Sequence, residues 1–174
     1  MKVKTDVFLV LLIVAASIAA AQSVPPVQSP GPETPVNGYW IDPTSGLMWA
    51  GKDNGKDVNW HKAMKYCQNL RLAGFSDWRL GTIDELFGIY DRSADSPGRF
   101  GNGEPNYQHV KGSLFLTGVQ WSSSQRIDDR GRTDDFAWFY DFINGRRGEE
   151  DATNFSGRYA NRGMRALCVR GPVK

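Results

Sequence analysis

The sequence predicts a single α+β domain in which two short helices precede a run of strands, on three observations. Apolar residues recur at helical spacing over 60–70 and 83–90, and the later segments are short apolar runs of strand type. The third observation is the pair Cys67 and Cys168, far apart in a chain whose start looks like an export signal.

That start has Lys2 and Lys4, an apolar stretch from Val7 to Ala16, and small residues at Ala19, Ala20 and Ala21. Residues 1–21 are therefore expected to be a signal peptide cut before Gln22. A retained anchor is the rival, but the apolar stretch is shorter than the ~20 residues a spanning helix needs, so no transmembrane segment is expected once the signal is removed. Residues 22–36, "QSVPPVQSPGPETPV", form a proline-rich linker that favours extended geometry over core packing. Residues 37–174 are then one domain. An exported location, whether periplasm, cell surface or medium, would let Cys67 and Cys168 pair; the alternative, two separate reactive thiols, lacks any activating motif.

Within the domain, Tyr39 to Ile41 and Leu47 to Ala50 flank Asp42-Pro43-Thr44-Ser45-Gly46, the pattern of a hairpin. Asn59 is placed to cap a helix with Trp60, Ala63, Met64, Cys67 and Leu70 on one face, and Gly74 is expected to end it. Trp78 and Leu80 are apolar positions of a connector, Thr82 with Glu85 makes a capping box, and Ile83, Leu86, Phe87 and Tyr90 form the second helix's stripe. Arg79 is expected to pair with an acidic side chain rather than grip a ligand. Residues 93–111 look like a long loop, and 124–135 a second variable one. Strands are expected at Phe115 to Ser122, Phe136 to Ile143 and Gly163 to Arg170, the middle one covered on both faces and followed by an Asn144-Gly145 turn.

Several chemistries are disfavoured. Removing residues 1–21 takes two lysines and one aspartate, leaving a formal charge that falls from +2 to +1, so no nucleic-acid partner is expected. His61 and His109 lack a zinc-helix partner, and no nucleophile elbow, P-loop or dinucleotide fingerprint occurs, so catalytic residues are not expected.

The long stretch "DPTSGLMWAGKDNGKDVNWHKAMKYCQNLRLAGFSDWRLGTIDELFGIYD", continued by "QWSSS", "AWFYDFINGRRG" and "RALCVR", closely resembles the bacterial Lcl C-terminal domain family, typified by the C-terminal domain of the Legionella collagen-like adhesin. The resemblance implies a fold similar to C-type lectins and formylglycine-generating enzymes, with Cys67 and Cys168 placed like the long-range lectin disulfide. It also implies a non-enzymatic binding domain with sulfated or anionic polysaccharide as first ligand. Gly81 departs from the family, where proline is common, which is expected to loosen the helix start. A structural or protein-interaction module, meeting an envelope or extracellular protein, is the alternative.

Candidate ligand residues are Arg126, Arg130, Arg132, Arg146 and Arg147, whose guanidinium forks suit sulfate and carboxylate, although interleaved acids could equally cancel their field. Trp121, near a strand end beside Ser122 to Ser124, is the aromatic kept as a ligand candidate, while Trp49, Trp60, Trp78 and Trp138 are expected in the core. "GEPN", Gly103 to Asn106, repeats the Glu-Pro-Asn triplet with which mannose-type lectins hold calcium. Glu104 and Asn106 are the corresponding metal candidates. Their place ahead of most strands, with no Trp-Asn-Asp triplet later, favours coincidence, and no cofactor is expected beyond such a calcium ion. Asn154-Phe155-Ser156 is a glycosylation sequon whose use is left open.

Overall fold

The computed structural model describes residues 38–153 and 163–171; residues 1–21, 22–36, Asn37 and the Asn154 sequon lie outside the described residues. Strands prevail, with two helices and three small sheets. The first hairpin joins Tyr39–Ile41 (β1) to Met48–Ala50 (β2) in antiparallel register. Its turn is tied by Asp42, whose carboxylate accepts from the amides of Thr44 and Ser45 at 3.1 Å and from the Ser45 hydroxyl at 2.5 Å. An aspartate doing this satisfies two turn amides that no strand can reach.

Trp60–Asn69 (α1) starts where Asn59 accepts from the Lys62 amide at 2.9 Å and buries Trp60, Ala63 and Cys67. It ends at Asn69, earlier than expected. Gly74 instead shapes a two-residue turn: Ala73 and Gly74 both have positive φ, 54° and 80°, and Leu72 and Phe75 exchange backbone bonds across them. Paired positive φ values match the right-handed strand twist, which favours glycine here. Arg79–Leu80 (β3) forms a two-residue strand rather than a mere connector.

Ile83–Gly88 (α2) carries both halves of the Thr82–Glu85 capping box. Arg79 donates to both Glu85 oxygens at 2.8 Å, so the guanidinium is spent on the helix start, as expected of it. Because α2 stops at Gly88, the expected stripe departs at one position: Phe87 is 61% exposed and Ile89 takes its place in the core, while Tyr90 still packs against the same cluster. The capping box is complete with Gly81, not proline, before it. A Cβ there would come within 3.0 Å of the Trp49 ring, so the missing side chain makes room for a buried indole.

Residues 93–111 are not a loop throughout: Ser96–Arg99 (β4) and Pro105–Gln108 (β5) pair as a hairpin. Proline is tolerated on such a two-stranded edge because one side of each strand needs no ladder bond. Val119–Ile127 (β6) and Thr133–Asp141 (β7) form the longest pairing, its register shifted once in each strand, so 124–135 is strand and tight turn rather than a loop. The first of these strands starts later than the expected 115. The reason is Asp53, whose carboxylate takes the Thr117 amide at 2.6 Å, the Thr117 hydroxyl at 2.9 Å and the Gln120 amide at 2.9 Å. Arg146–Asp151 (β8) follows the Asn144-Gly145 turn and pairs along β7.

The expected single strand from Gly163 to Arg170 is two. Met164–Arg165 (β9) runs parallel to β6, whereas Cys168–Arg170 (β10) lies between β2 and β3. Asn54 forces the break, donating its amide to the Ala166 carbonyl and accepting the Ala166 amide on Oδ1. Sheet orders are therefore β1-β2-β10-β3, β4-β5 and β8-β7-β6-β9.

Alternation along β10 divides the core, since successive strand side chains point to opposite faces. Cys168 joins α1, Trp60, Trp78 and Trp121 in one cluster, while Leu167 and Val169 join α2, Trp49 and Phe142 in the other. A disulfide links Cys67 in α1 to Cys168, 101 residues apart. Replacing both cysteines by alanine is expected to lower the urea unfolding free energy by about 4–5 kcal/mol, the chain-entropy value for so long a loop; a decrease under about 1 kcal/mol would show that the bridge does not constrain the unfolded chain.

Acid stability has a second source. Burial pushes the Glu85 carboxyl up, but the Arg79 and Thr82 bonds outweigh it and hold it below its ordinary value of 4.5. A depressed folded value gives stability that is present above about pH 4.5 and lost as the pH falls through the folded value. Urea midpoints measured downward from neutral pH are expected to fall in that acid range for the parent, and less steeply for Glu85→Gln.

Candidate functional site

The outer face of the β6-β7-β8 sheet gathers most of the chemistry. Along β7, Ala137 and Phe139 point into the core, so Phe136, Trp138 and Tyr140 share the opposite face. Phe87, Tyr90 and Phe142 cover Tyr140, with ring centroids 6.3, 5.9 and 4.8 Å away. Burial pushes its hydroxyl up to about 12. Phe136 and Trp138 are only half-buried and continue that aromatic row toward solvent.

Strand β8 supplies charge to the same face. Register places Glu149 opposite Trp138 and Arg147 opposite Tyr140. The Arg147 guanidinium lies 5.9 Å from the Trp138 ring centroid, and that of Arg126 lies 4.3 Å from Phe136. Cations over ring faces are attracted to the negative π surface, worth about 0.5–1 kcal/mol at exposed sites. Arg126 is further held by Asp134, at 2.7 Å from its Nε, and by Glu149 at 3.3 Å. The bond from Arg126 keeps the Asp134 carboxyl below its ordinary range.

The five candidate arginines are thus split. Arg126 and Arg147 share the aromatic face. Arg132 closes the β6–β7 turn on Asp128, at 2.8 Å, and Arg130 is exposed at that same tip with its backbone amide on Asp128. Arg146 sits opposite Asp141, one residue from Arg147, and so belongs to the other face of β8. Arg126 and Arg132 already hold carboxylates, which leaves the sheet face less cationic than its composition implies.

Trp121 is a correction. Its side chain is fully buried and its indole donates to the Val58 carbonyl at 2.8 Å, so no face is open to a ligand. Trp138, expected in the core, is partly buried and packs against the second core cluster, but is the more accessible of the two rings. Apolar residues on both alternating sets of β7 concealed this, because pattern alone does not separate a buried face from an aromatic row open at one end; the charged run of β8 beside it was the available signal. Glu104 is exposed, and Asn106 Oδ1 accepts from Gln108 at 3.2 Å. No group of three or more His, Cys, Asp or Glu side chains able to hold a metal occurs among the described residues.

A cleft of about 360 Å³ lies between the first hairpin and α2, and most of the polar side chains lining it are bonded to their neighbours. Asp42 is committed to its turn, Thr82 and Glu85 to each other, and Ser124 accepts the Ile83 amide at 3.1 Å.

Burial predicts how the two tryptophans respond to truncation. Trp121→Ala is expected to cost about 3–5 kcal/mol in urea unfolding, as for other core aromatics, and Trp138→Ala about 1 kcal/mol. Equal costs would remove Trp138 from the exposed face.

No helix among the described residues is long and apolar enough to cross a membrane. No curated protein and no solved structure matches the chain. A family model does, over residues 38–170, which span both helices and every strand. The chain belongs to the Lcl C-terminal domain family.

Proposed function

We propose that this is an exported, non-enzymatic, adhesin-like domain that binds polysaccharide at the cell surface or in the periplasm, with anionic or sulfated chains as the first ligand class. The observation that carries the proposal is the row of Phe136 and Trp138 flanked by Arg126 and Arg147 on one sheet face. Flat apolar rings suit the C–H faces of pyranose sugars, and guanidinium forks suit sulfate or carboxylate. In this scheme Arg126, pinned by two carboxylates, orients the platform. Arg147 and the tip residue Arg130 meet the anionic groups, while Arg132, tied to Asp128, shapes the tip.

Family membership supports an adhesin-like role, and the Cys67–Cys168 disulfide supports an oxidising location. The bridge also consumes both cysteines of the chain, which supports binding over a thiol chemistry of the formylglycine-generating kind. We read the arrangement as C-type-lectin-like, supported by two helices, small sheets, β1 and β10 in one sheet, and the bridge from α1 to the last strand.

A heparin column developed with a salt gradient tests the site, because salt screens cation–anion attraction and a protein with fewer directed cations elutes at lower salt. The parent is expected to be retained, Arg147→Ser and Trp138→Ala to elute earlier, and Arg146→Ser, on the other face, to elute with the parent. Flow-through of the parent rejects anionic-glycan binding. Equally early elution of Arg146→Ser and Arg147→Ser reduces it to undirected charge.

A further inference from the structure

Hydrogen bonds join successive segments side by side from Gly38 to the β4–β5 hairpin. The Gly51 amide donates to the Gly38 carbonyl at 2.8 Å, the Phe115 amide to that of Gly51 at 2.9 Å, and the Arg99 amide to that of Leu116 at 2.9 Å. Arg99 lies in β4, which pairs with β5. Segments joined in this way sit about 4.8 Å apart, which puts β4 about 14 Å and β5 about 19 Å from Gly38.

Side chains alternate across this layer. Gly98, Gln108 and Leu116 are buried, which turns Pro97, Arg99, Pro105, Tyr107 and Phe115 outward. These side chains line a groove of about 360 Å³. Its walls are mostly rings, and Tyr107 is 64% exposed, an uncommon state for a large aromatic. Arg99 is the one charged side chain among the described residues lining it. Its Nη1 donates to the Gly103 carbonyl at 2.7 Å, and no carboxylate among the described residues pairs with it.

Residues 22–36 suit that groove in composition, length and charge. Pro25, Pro26, Pro30, Pro32 and Pro35 favour polyproline II geometry, and segments of that kind dock in aromatic-lined grooves at little cost in ordering entropy. At about 3.1 Å per residue, chain running back from Gly38 carries Glu33 about 15 Å and Pro32 about 19 Å. Those are the distances to the strands of Arg99 and Tyr107. Glu33 is also the only charged residue of the segment, and its sign is opposite to that of Arg99.

We propose that the proline-rich segment docks on its own domain, with Pro32 against the Tyr107 ring and Glu33 on the Arg99 guanidinium. Docking covers an apolar hairpin face that is otherwise open to association with other chains, and it lays the linker along the domain. The contact goes beyond the β7 face and does not depend on it.

The full chain, labelled with nitrogen-15 and carbon-13, is expected to show nuclear Overhauser contacts between the Pro32 and Tyr107 rings that are independent of protein concentration. Pro30→Ala/Pro32→Ala/Pro35→Ala is expected to abolish them and to shift the Tyr107 and Arg99 amide signals. A peptide of residues 22–36 added to that variant should move the same signals back. Its apparent affinity there should be about tenfold higher than on the parent, where the tethered copy competes at about millimolar effective concentration. Glu33→Gln and Arg99→Gln should each weaken docking, and the double variant no more than either alone. The contacts should persist in Trp138→Ala/Arg147→Ser. Tyr107 signals identical in the parent and the triple-alanine variant overturn the proposal, as does loss of the contacts in the sheet-face variant. Contacts that grow with protein concentration overturn it too, and assign the groove to a second copy of the chain.

Discussion

The fold depends on one long-range constraint, the tie between α1 and the last strand. Strand β10 enters the middle of its sheet, between β2 and β3, so that sheet is incomplete until the end of the chain arrives. Closing so long a loop costs entropy before the contacts compensate it, and the Cys67–Cys168 bridge makes the closure permanent. Because side chains alternate along β10, two adjacent residues serve both core clusters: Cys168 anchors the one under α1, and Val169 extends the one under α2.

Buried polar groups then fix how the third sheet meets this frame. Two indoles cross between the same segments: Trp60 donates to the Ser122 carbonyl at 2.7 Å, and Trp121 to that of Val58 at 2.8 Å. Asp53, buried and with its carboxyl pushed up by that burial, is held by Thr117, Gln120 and the Gly55 amide. Arg165 bonds the Thr117 hydroxyl at 2.9 Å and pairs with Asp57. Groups this costly to desolvate persist only when their partners are in place, so residues 53–60 act as a polar clamp on β6 and β9.

That clamp leaves the far side of β7 to face outward. Phe136 is half-buried beneath Arg126 of β6 and Trp138 lies between the second core cluster and Arg147 of β8, while Asp134 and Glu149 steady the arginine on β6. The result is an aromatic row beside arginines whose charge is partly neutralised by carboxylates. Under the proposed function, selection of acidic groups would rest on a few directed guanidinium contacts.

By itself the sequence determined what short-range chemistry decides. The Asp42 turn, the Asn59 cap, the Thr82–Glu85 box, the role of Arg79 and the Asn144-Gly145 turn were legible because each involves residues a few positions apart. The family resemblance likewise rested on ordered local motifs, and the family-model match over residues 38–170 agrees with it. Tertiary structure decided the rest. Whether Trp121 or Trp138 met solvent depended on which side of a sheet the core formed, and the split of Gly163 to Arg170 depended on Asn54, over a hundred residues earlier. Arg146 and Arg147, adjacent in sequence, parted onto opposite faces because β8 pairs with β7 in one register. Burial and register arise from contacts between distant segments, and no local pattern encodes them.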